Sequence, residues 1–494
     1  MILIGVGLYM LVMLGIGFYV SRETHSATEF IVAGRSLPLW LCSVSIFATW
    51  FGSGIMMGAA TSGYDRDFLL MIGEPFGSGL ALLLTGLFFA RIMRRARRLT
   101  WVEFFNIRYG KFAGFFGAFA DIIAGIIWLG GVLFTFGVLL ESLTGLPMAV
   151  GIFGGLVVIV IYTMIGGMWA VALTDLVQVV VLTIGLVVLL IIVLDDVGGW
   201  STVVERLPKD TLRFFPVEHS YKNWIEYIHV WMALGIAAIA ANSVIQRALS
   251  AKSESVAQNS FLVAAIAYVV IGVIPIVLGF VASITMPGVD DPNAVLTNIA
   301  VAHLQPIFVV LFVGAILSSI MSTSDSILLS SASIISTNLL PLVKKDADDK
   351  TRLAVTRYSI PFVALAASYV AFGAERVVEV LIDSVAPLLA MTIVPFVLCF
   401  WWEKANRSGA IGSIFGGLAG WGIASQFETI TPPDLIGFAV SLITMVVVTL
   451  LTQQFDPPRP ITDDRGNIVE LKNRVHVLRR QIRHSHHNAD TKGD

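Results

Sequence analysis

Residues 317–337 read LSSIMSTSDSILLSSASIIST, and this run decides how the chain is understood. It lies in an apolar segment long enough to cross a bilayer. From Ser318 to Thr337 it nevertheless carries eleven hydroxyl side chains in twenty residues. On a helix advancing about 100° per residue, Ser319, Ser322, Thr323, Ser326, Ser330, Ser333 and Thr337 fall on one stripe, with Asp325 at its edge. Polar groups at membrane depth are costly unless they face protein or a water-filled path, so a carboxylate there marks a functional site by default. Oxygen-only ligands suit a hard cation such as Na⁺. Ser and Thr also let membrane helices approach closely, so the run alone reads equally as a cation site or as a packing face.

The composition of the rest places that run in a membrane protein. The chain has 494 residues, 56% hydrophobic and 13% charged, which no soluble domain of this length shows. The fold class that follows is an all-α polytopic membrane protein. Apolar windows put spans near 2–20, 38–60, 67–90, 113–142, 147–165, 168–194, 225–246, 258–283, 306–338, 355–373, 377–401, 409–425 and 435–452, about thirteen transmembrane helices. The first segment resembles a signal peptide in length, but it lacks a basic start and a small-residue cleavage site and has Arg22 on its far flank. It is taken as a spanning helix.

Charge placement sets the orientation. With the N-terminus outside, the connections at 21–37, 91–112, 247–257, 339–354, 402–408 and 453–494 are cytoplasmic, and 26 of the 32 Lys and Arg fall on or beside that side. The 91–112 loop alone holds Arg91, Arg94, Arg95, Arg97, Arg98, Arg108 and Lys111. The expected location is the plasma (inner) membrane, with the lipid bilayer as partner and no nucleic acid. Trp200 and Trp224 in the longest outer connection suit interfacial anchoring. Cys42 and Cys399 both lie in apolar segments, so no disulfide framework is indicated. In the tail, Ile468, Leu471, Val475, Leu478 and Ile482 keep a 3-4-3-4 spacing, which fits a short coiled coil or a basic amphipathic helix on the inner leaflet. His484, His486 and His487 read as tail chemistry in preference to a metal site.

Two further features point to transport. Residues 45–64, SIFATWFGSGIMMGAATSGY, carry Gly52, Gly54, Gly58 and Gly63 in one span. Glycine weakens a helix, and unwound backbone at membrane depth is tolerated only where it is buried in protein or lines a cavity. Transporters coordinate ions through such freed carbonyls. Tight GxxxG packing through Gly54 and Gly58 is the other reading; Trp50 among the glycines favours the unwound one. Glu74, Asp121, Asp175, Asp325 and Asp383 also lie inside apolar spans. Some will be satisfied structural carboxylates, but their cost makes it hard for all five to be so. Trp50 and Trp128 sit within spans instead of at interfaces, as a substrate wall with a cation–π face or as packing anchors.

The motifs EFIVAGRSLP (29–38), ATWFGSG (48–54), GGMWAVALTDLVQ (166–178), QRALSAKS (246–253) and SSIMSTSDSILLSSASI (318–334) resemble, in order and spacing, the sodium/solute symporter family. The resemblance implies two five-helix inverted repeats, about 38–194 and 225–401, with one helix before (1–20), two after (409–452) and a basic cytoplasmic tail (453–494). It implies alternating access with Na⁺ as the coupling ion and no organic cofactor. The family's main Na⁺ site carries over to the carbonyls of Ala48, Phe51 and Ser319 and the hydroxyls of Ser322 and Thr323. A second ion site found in some members would involve Asp175, Ser322, Asp325 and Ser326. Asp stands at 325 where relatives often have Ser, so a proton on Asp325 is the alternative.

Within the family, TGLFFARIMR (85–94), the IYTMIGG…TD stretch (161–175) and MSTSDSILLSSAS (321–333) resemble the choline-transporter branch. Trp50 and Trp128 stand where that branch places aromatic cage residues, but two other cage positions fall on Ser78 and Ala241. Trp50, Glu74 and Trp128 are the expected substrate residues, although Glu74 is equally readable as an outer-side structural carboxylate. The implied activity is Na⁺-driven uptake of a small organic solute, a quaternary ammonium or another cationic or zwitterionic compound being one class. A solute-binding sensor on a transporter fold and an H⁺-driven transporter are the alternatives. No nucleophile–base pair, metal cluster or phosphate loop suggests an enzyme.

Overall fold

Lipid offers no partner for backbone N–H and C=O groups, so apolar segments of this length must close their hydrogen bonds within helices. The computed structural model describes residues 2–20, 25–52, 54–289, 294–374 and 377–471. The principal helices are α1 (Ile2–Val20), α2 (Leu39–Trp50), α3 (Ala59–Asp65), α4 (Ser78–Phe88), α5 (Lys111–Thr144), α6 (Met148–Val197), α7 (Tyr221–Val230), α8 (Asn242–Ser250), α9 (Glu254–Thr285), α10 (Pro306–Ile334), α11 (Asp349–Gly373), α12 (Val377–Pro387), α13 (Ile393–Trp401), α14 (Arg407–Ala424) and α15 (Pro433–Thr452).

Among the described residues, seven helices are long and apolar enough to cross a bilayer, and up to ten if each of three bent pairs is one span. The expected thirteen would further need α1, the glycine-rich α14 and a division of α6, so that count is not reached on length and composition. The division of α6 has a physical basis. Fifty residues of helix would run about 75 Å, more than twice the ~30 Å of a hydrocarbon core. At Gly167 the backbone turns to φ 60°, ψ −150°, a conformation in effect reserved for glycine, and one helix becomes two at the point where the apolar windows divide. A Cβ there would also stand 2.5 Å from the Phe30 carbonyl.

The bent pairs show where hydrogen bonding is interrupted at depth. The sequence pointed to the first, α2 and the segment from Gly54 to Asp65. It did not point to the third. The span Tyr221–Ala240 bends by 45° into α8 through Ala241, which is extended at φ −68°, ψ 118°. The glycines that flagged the first break have no counterpart there; the local sequence is AAIAANS.

Helix α10 is the centre of the bundle, buried on every side from Ala315 to Ile334. It packs against α5 and α6, with α2 and α8 along its hydroxyl stripe. The segment 29–38 meets 246–253 beside it: the Leu37 N–H donates to the Ser250 carbonyl (3.1 Å) and the Lys252 N–H to the Leu37 carbonyl (3.0 Å).

The basic 91–112 loop is not left to solvent. Arg95 holds Glu254 through two contacts (2.8 and 3.1 Å), and Arg97 meets Asp464 (3.2 Å). Arg98 donates to the Thr462 carbonyl (2.8 Å) and Arg108 to the Arg459 carbonyl (2.7 Å). The start of the tail is therefore laid across this loop as a short bridged turn, Thr462 to Ile468, and not as a helix. Ile468 is largely exposed, while Leu471 packs on the core. The remainder of the 3-4-3-4 pattern (Val475, Leu478, Ile482) and the cluster His484, His486 and His487 lie outside the described residues. Trp200 opens a short helix, Trp200–Arg206, with its ring partly exposed, and the Trp224 ring stacks on His219.

Gly167→Ala is expected to lose about 1–3 kcal/mol from backbone strain alone, with the clash against Phe30 adding to it. The check is the thermal unfolding midpoint in detergent. Gly154→Ala, on the same helix with open space around it, should leave the midpoint unchanged.

Candidate functional site

The site begins where α2 stops. In a continuing helix the Gly52 N–H would bond the Ala48 carbonyl; here it donates to the Trp50 carbonyl instead (2.8 Å), and Phe51 leaves helical geometry at φ −76°, ψ 64°. The carbonyls of Ala48 and Phe51 are thereby released inside the protein, where an unpaired C=O is costly. Helix α10 meets them. The Ser319 hydroxyl donates to the Phe51 carbonyl (2.6 Å), and the Ser322 hydroxyl lies 2.9 Å from the Ala48 carbonyl and 3.1 Å from the Ser319 carbonyl. Thr323 completes the group. Its Oγ1 is buried without a hydrogen-bond partner among the described residues, and it lies so close to Gly52 that a Cβ at that position would strike it. All five residues expected at the main ion site thus converge: two released carbonyls, the Ser319 carbonyl and two hydroxyls. Such an all-oxygen set suits a hard monovalent cation.

One turn further on, Asp175, Asp325 and Ser326 also meet, around a residue the sequence analysis did not single out. Arg247 is fully buried; its guanidinium lies 3.8 Å from Asp175, donates through Nε to Ser45 (3.2 Å) and through NH2 to Ser326. Asp175 also accepts from the Ser45 hydroxyl (2.5 Å), and its Oδ1 is buried without a hydrogen-bond partner among the described residues. Asp325 is held by Tyr162 (2.7 Å) and lies 3.2 Å from the Ser326 hydroxyl. Arg247 belongs to the quoted QRALSAKS motif, so the residue was visible in the sequence; its depth was not.

Beside the main group lies a cavity of about 60 Å³. Trp50 and Trp128 are both on its wall, as expected, with Thr49, Thr323, Ser330 and Ser331. Glu74 is not on this wall. Its two oxygens accept from Ser78 (2.8 Å) and Tyr268 (2.7 Å), and the Tyr268 hydroxyl also reaches the Trp50 carbonyl (3.3 Å). Glu74 therefore sits behind Trp50 and buttresses the break. Of the two non-aromatic cage positions, Ala241 borders the cavity and Ser78 does not.

Asp121 and Asn242 are on the wall and were not among the expected site residues. Asp121, Ala124, Gly125 and Trp128 follow a 3-4 spacing down one face of α5, a signal the sequence did hold. Asp383 borders a different cavity, near the His229–Asp434 pair.

A profile of the sodium:solute symporter family matches residues 30–417. The chain belongs to the sodium:solute symporter family. It is accordingly a membrane transporter and not an enzyme, with Na⁺ as the coupling ion. The chain is 26% identical over 441 residues to the high affinity choline transporter 1 of Homo sapiens, covering 84% of this chain and 75% of that one. It is 25% identical over 451 residues to the sodium/pantothenate symporter of Haemophilus influenzae, covering 86% and 91%. Its fold is similar to that of a Na⁺-coupled sialic acid symporter solved in a substrate-bound outward-open state, with TM-score 0.80 at 20% identity, over 93% of this chain and 98% of that one.

Removing one partner of a buried ion pair leaves an uncompensated charge, at a cost of about 3–5 kcal/mol. Arg247→Gln, which strands two buried carboxylates, should therefore lower the folded yield and the thermal midpoint sharply, and Asp175→Asn, which leaves Asp325 near the guanidinium, should lower them less. The double variant should recover part of the loss, a coupling that a double-mutant cycle reads directly. Additive losses would show that the two side chains do not act as a pair.

Proposed function

We propose that this protein couples the inward movement of Na⁺ to the uptake of a small organic solute by alternating access. The observation that carries the ion assignment is the unpartnered Thr323 hydroxyl beside two carbonyls that α2 has released. Ala48, Phe51, Ser319, Ser322 and Thr323 form the main Na⁺ site in this reading. Na⁺ binding would replace the internal hydrogen bonds that now join α2 to α10, so ion occupancy and the geometry of the break are linked. One charge crossing about 100 mV is worth ~2.3 kcal/mol, and a tenfold Na⁺ gradient adds ~1.4 kcal/mol. One ion then supports roughly 500-fold accumulation of a neutral solute, and two would support roughly the square of that.

The second cluster bears on that number. Asp175 and Asp325 bring two carboxylates to one guanidinium, which leaves one negative charge unmatched in a buried place. A further monovalent cation, Na⁺ or H⁺, would balance it, with Asp175, Ser322, Asp325 and Ser326 as the groups around it.

The solute would occupy the cavity between Trp50 and Trp128. The choline transporters among the relatives and the two indoles favour an organic cation or zwitterion. The paired breaks, at Trp50–Gly54 and at Ala241, each fall in the first span of an expected repeat and support the division 38–194 and 225–401, with 1–20 leading, 409–452 trailing and the tail 453–494 cytoplasmic. The charge distribution favours an outside N-terminus, and the plasma membrane is the proposed location. Rocking of one bundle against the other would be hinged at the breaks.

The test is uptake into proteoliposomes of a labelled panel of choline, betaine, proline, pantothenate, short carboxylates and glucose, with and without an inward Na⁺ gradient. Na⁺-stimulated accumulation of one of them is expected. Thr323→Ala should weaken the Na⁺ dependence of that uptake by tenfold or more. An unchanged Na⁺ dependence would remove the ion assignment, and saturable binding without uptake under any Na⁺ or H⁺ gradient would favour a sensor.

A further inference from the structure

Among the described residues, the solute cavity has a single charged residue on its wall. Trp50, Trp128, Thr49, Ala241, Ser330 and the others that border it are neutral; Asp121 is not. Its surroundings separate its two oxygens. Oδ1 accepts from the Trp101 indole N–H (3.1 Å) and from the Asn242 backbone N–H (3.0 Å). The second contact comes from the first residue of α8, just past the extended Ala241, so Oδ1 holds the start of that helix in place. Oδ2 has no hydrogen-bond partner among the described residues, and no Lys, Arg or His side chain pairs with the carboxylate. One oxygen is structural and the other is left for whatever fills the cavity.

A carboxylate at this depth without a counter-charge is costly, and a ligand that brings a positive charge removes the cost. The neighbouring wall fits the same charge, since indole faces attract cations. The wall also says which kind of cation. A fully methylated ammonium has no hydrogen to donate and is best wrapped in aromatic faces. Here Ala241 leaves that side of the cavity without a ring, while Ser78 points its hydroxyl to Glu74. A cation that keeps an N–H can instead give a charge-assisted hydrogen bond to Oδ2, roughly twice as strong as a neutral one. We infer that the solute is a small protonated amine, its N–H donated to Asp121 Oδ2 and its body lodged between Trp50 and Trp128. Asn242 is a positioning residue: its side chain donates to Ser330 Oγ (2.9 Å) and accepts from the Trp101 backbone N–H (3.2 Å), which fixes the helix start that orients Asp121.

This inference rests on the Na⁺-symport reading and is tested separately from it. The full-length protein in proteoliposomes is offered ethanolamine, its N-methyl and N,N-dimethyl derivatives and choline, a series with one body and a falling number of N–H donors. Pantothenate, lactate and glucose form a second, uncharged or anionic set. Binding of each is measured in parallel by tryptophan fluorescence in detergent with Na⁺ present. Members retaining an N–H are expected to bind and to be accumulated, with a loss of about tenfold or more on the last methylation. Asp121→Asn keeps an oxygen for Trp101 and Asn242 but removes the charge; it should weaken the amines roughly ten- to a hundred-fold. Choline bound as tightly as the dimethyl compound, or amines unaffected by Asp121→Asn, would overturn the inference. Na⁺-driven uptake confined to the second set would overturn it too and leave symport standing. Amines bound in an Asp121-dependent way without uptake would uphold the site and overturn the symport reading.

Discussion

The structure depends on one exchange of hydrogen bonds. Helix α2 gives up its ladder at Trp50, and the carbonyls it abandons are taken up by hydroxyls of α10. Neither side is stable alone in a membrane. A free carbonyl has no water to turn to, and a helix with eleven hydroxyls in twenty residues has no lipid-facing side to offer. Together they satisfy one another, and α10 is drawn to the centre of the bundle, where from Ala315 onward no side of it meets lipid. The bargain is incomplete at Thr323, and that incompleteness is what a bound cation would relieve.

The second break uses the same logic with different chemistry. At Ala241 the chain again leaves the helix at depth, and the freed groups are backbone N–H donors at the start of α8. A carboxylate, Asp121, accepts from the Asn242 N–H, as expected for an anion at a helix N-terminus. The stripe on α10 continues past this point, so Ser330 meets Asn242 and Ser333 meets Gln246 (3.0 Å). One face of α10 therefore reads both broken helices, its upper hydroxyls against α2 and its lower ones against α8. The alternatives of packing face and ion site converge on the same residues, because hydroxyls small enough to let helices approach are also those that reach a released carbonyl.

Several of the carboxylates within the bundle are met by partners inside the protein. Glu74 is answered by Ser78 and Tyr268, Asp325 by Tyr162, and Asp175 by Arg247 and Ser45. Their different degrees of satisfaction separate support from function. Glu74 has both oxygens bonded and stiffens the backbone behind Trp50. Asp121 and Asp175 each keep an oxygen in reserve.

The sequence alone determined the solvent the chain lives in, the helical class, the division at Gly166–Gly167 and the first broken span, while the residues proposed for the main ion group came from the family resemblance. The former rest on local chemistry: hydropathy over a window and glycine at a turn. Only the tertiary structure decided the rest. Arg247 and Asp175 are 72 residues apart in the chain, and Glu74 and Tyr268 lie 194 apart, so no periodicity could announce that they touch. The break at Ala241 carries no glycine, and the carboxylate that accepts from the helix start after it, Asp121, sits on another helix. Glu74 and Asp121 look alike in a sequence, each a lone acid in an apolar span. Which one faces the cavity is settled by the neighbours that fold around them, because a buried carboxylate's role depends on how many of its lone pairs the protein itself has already used.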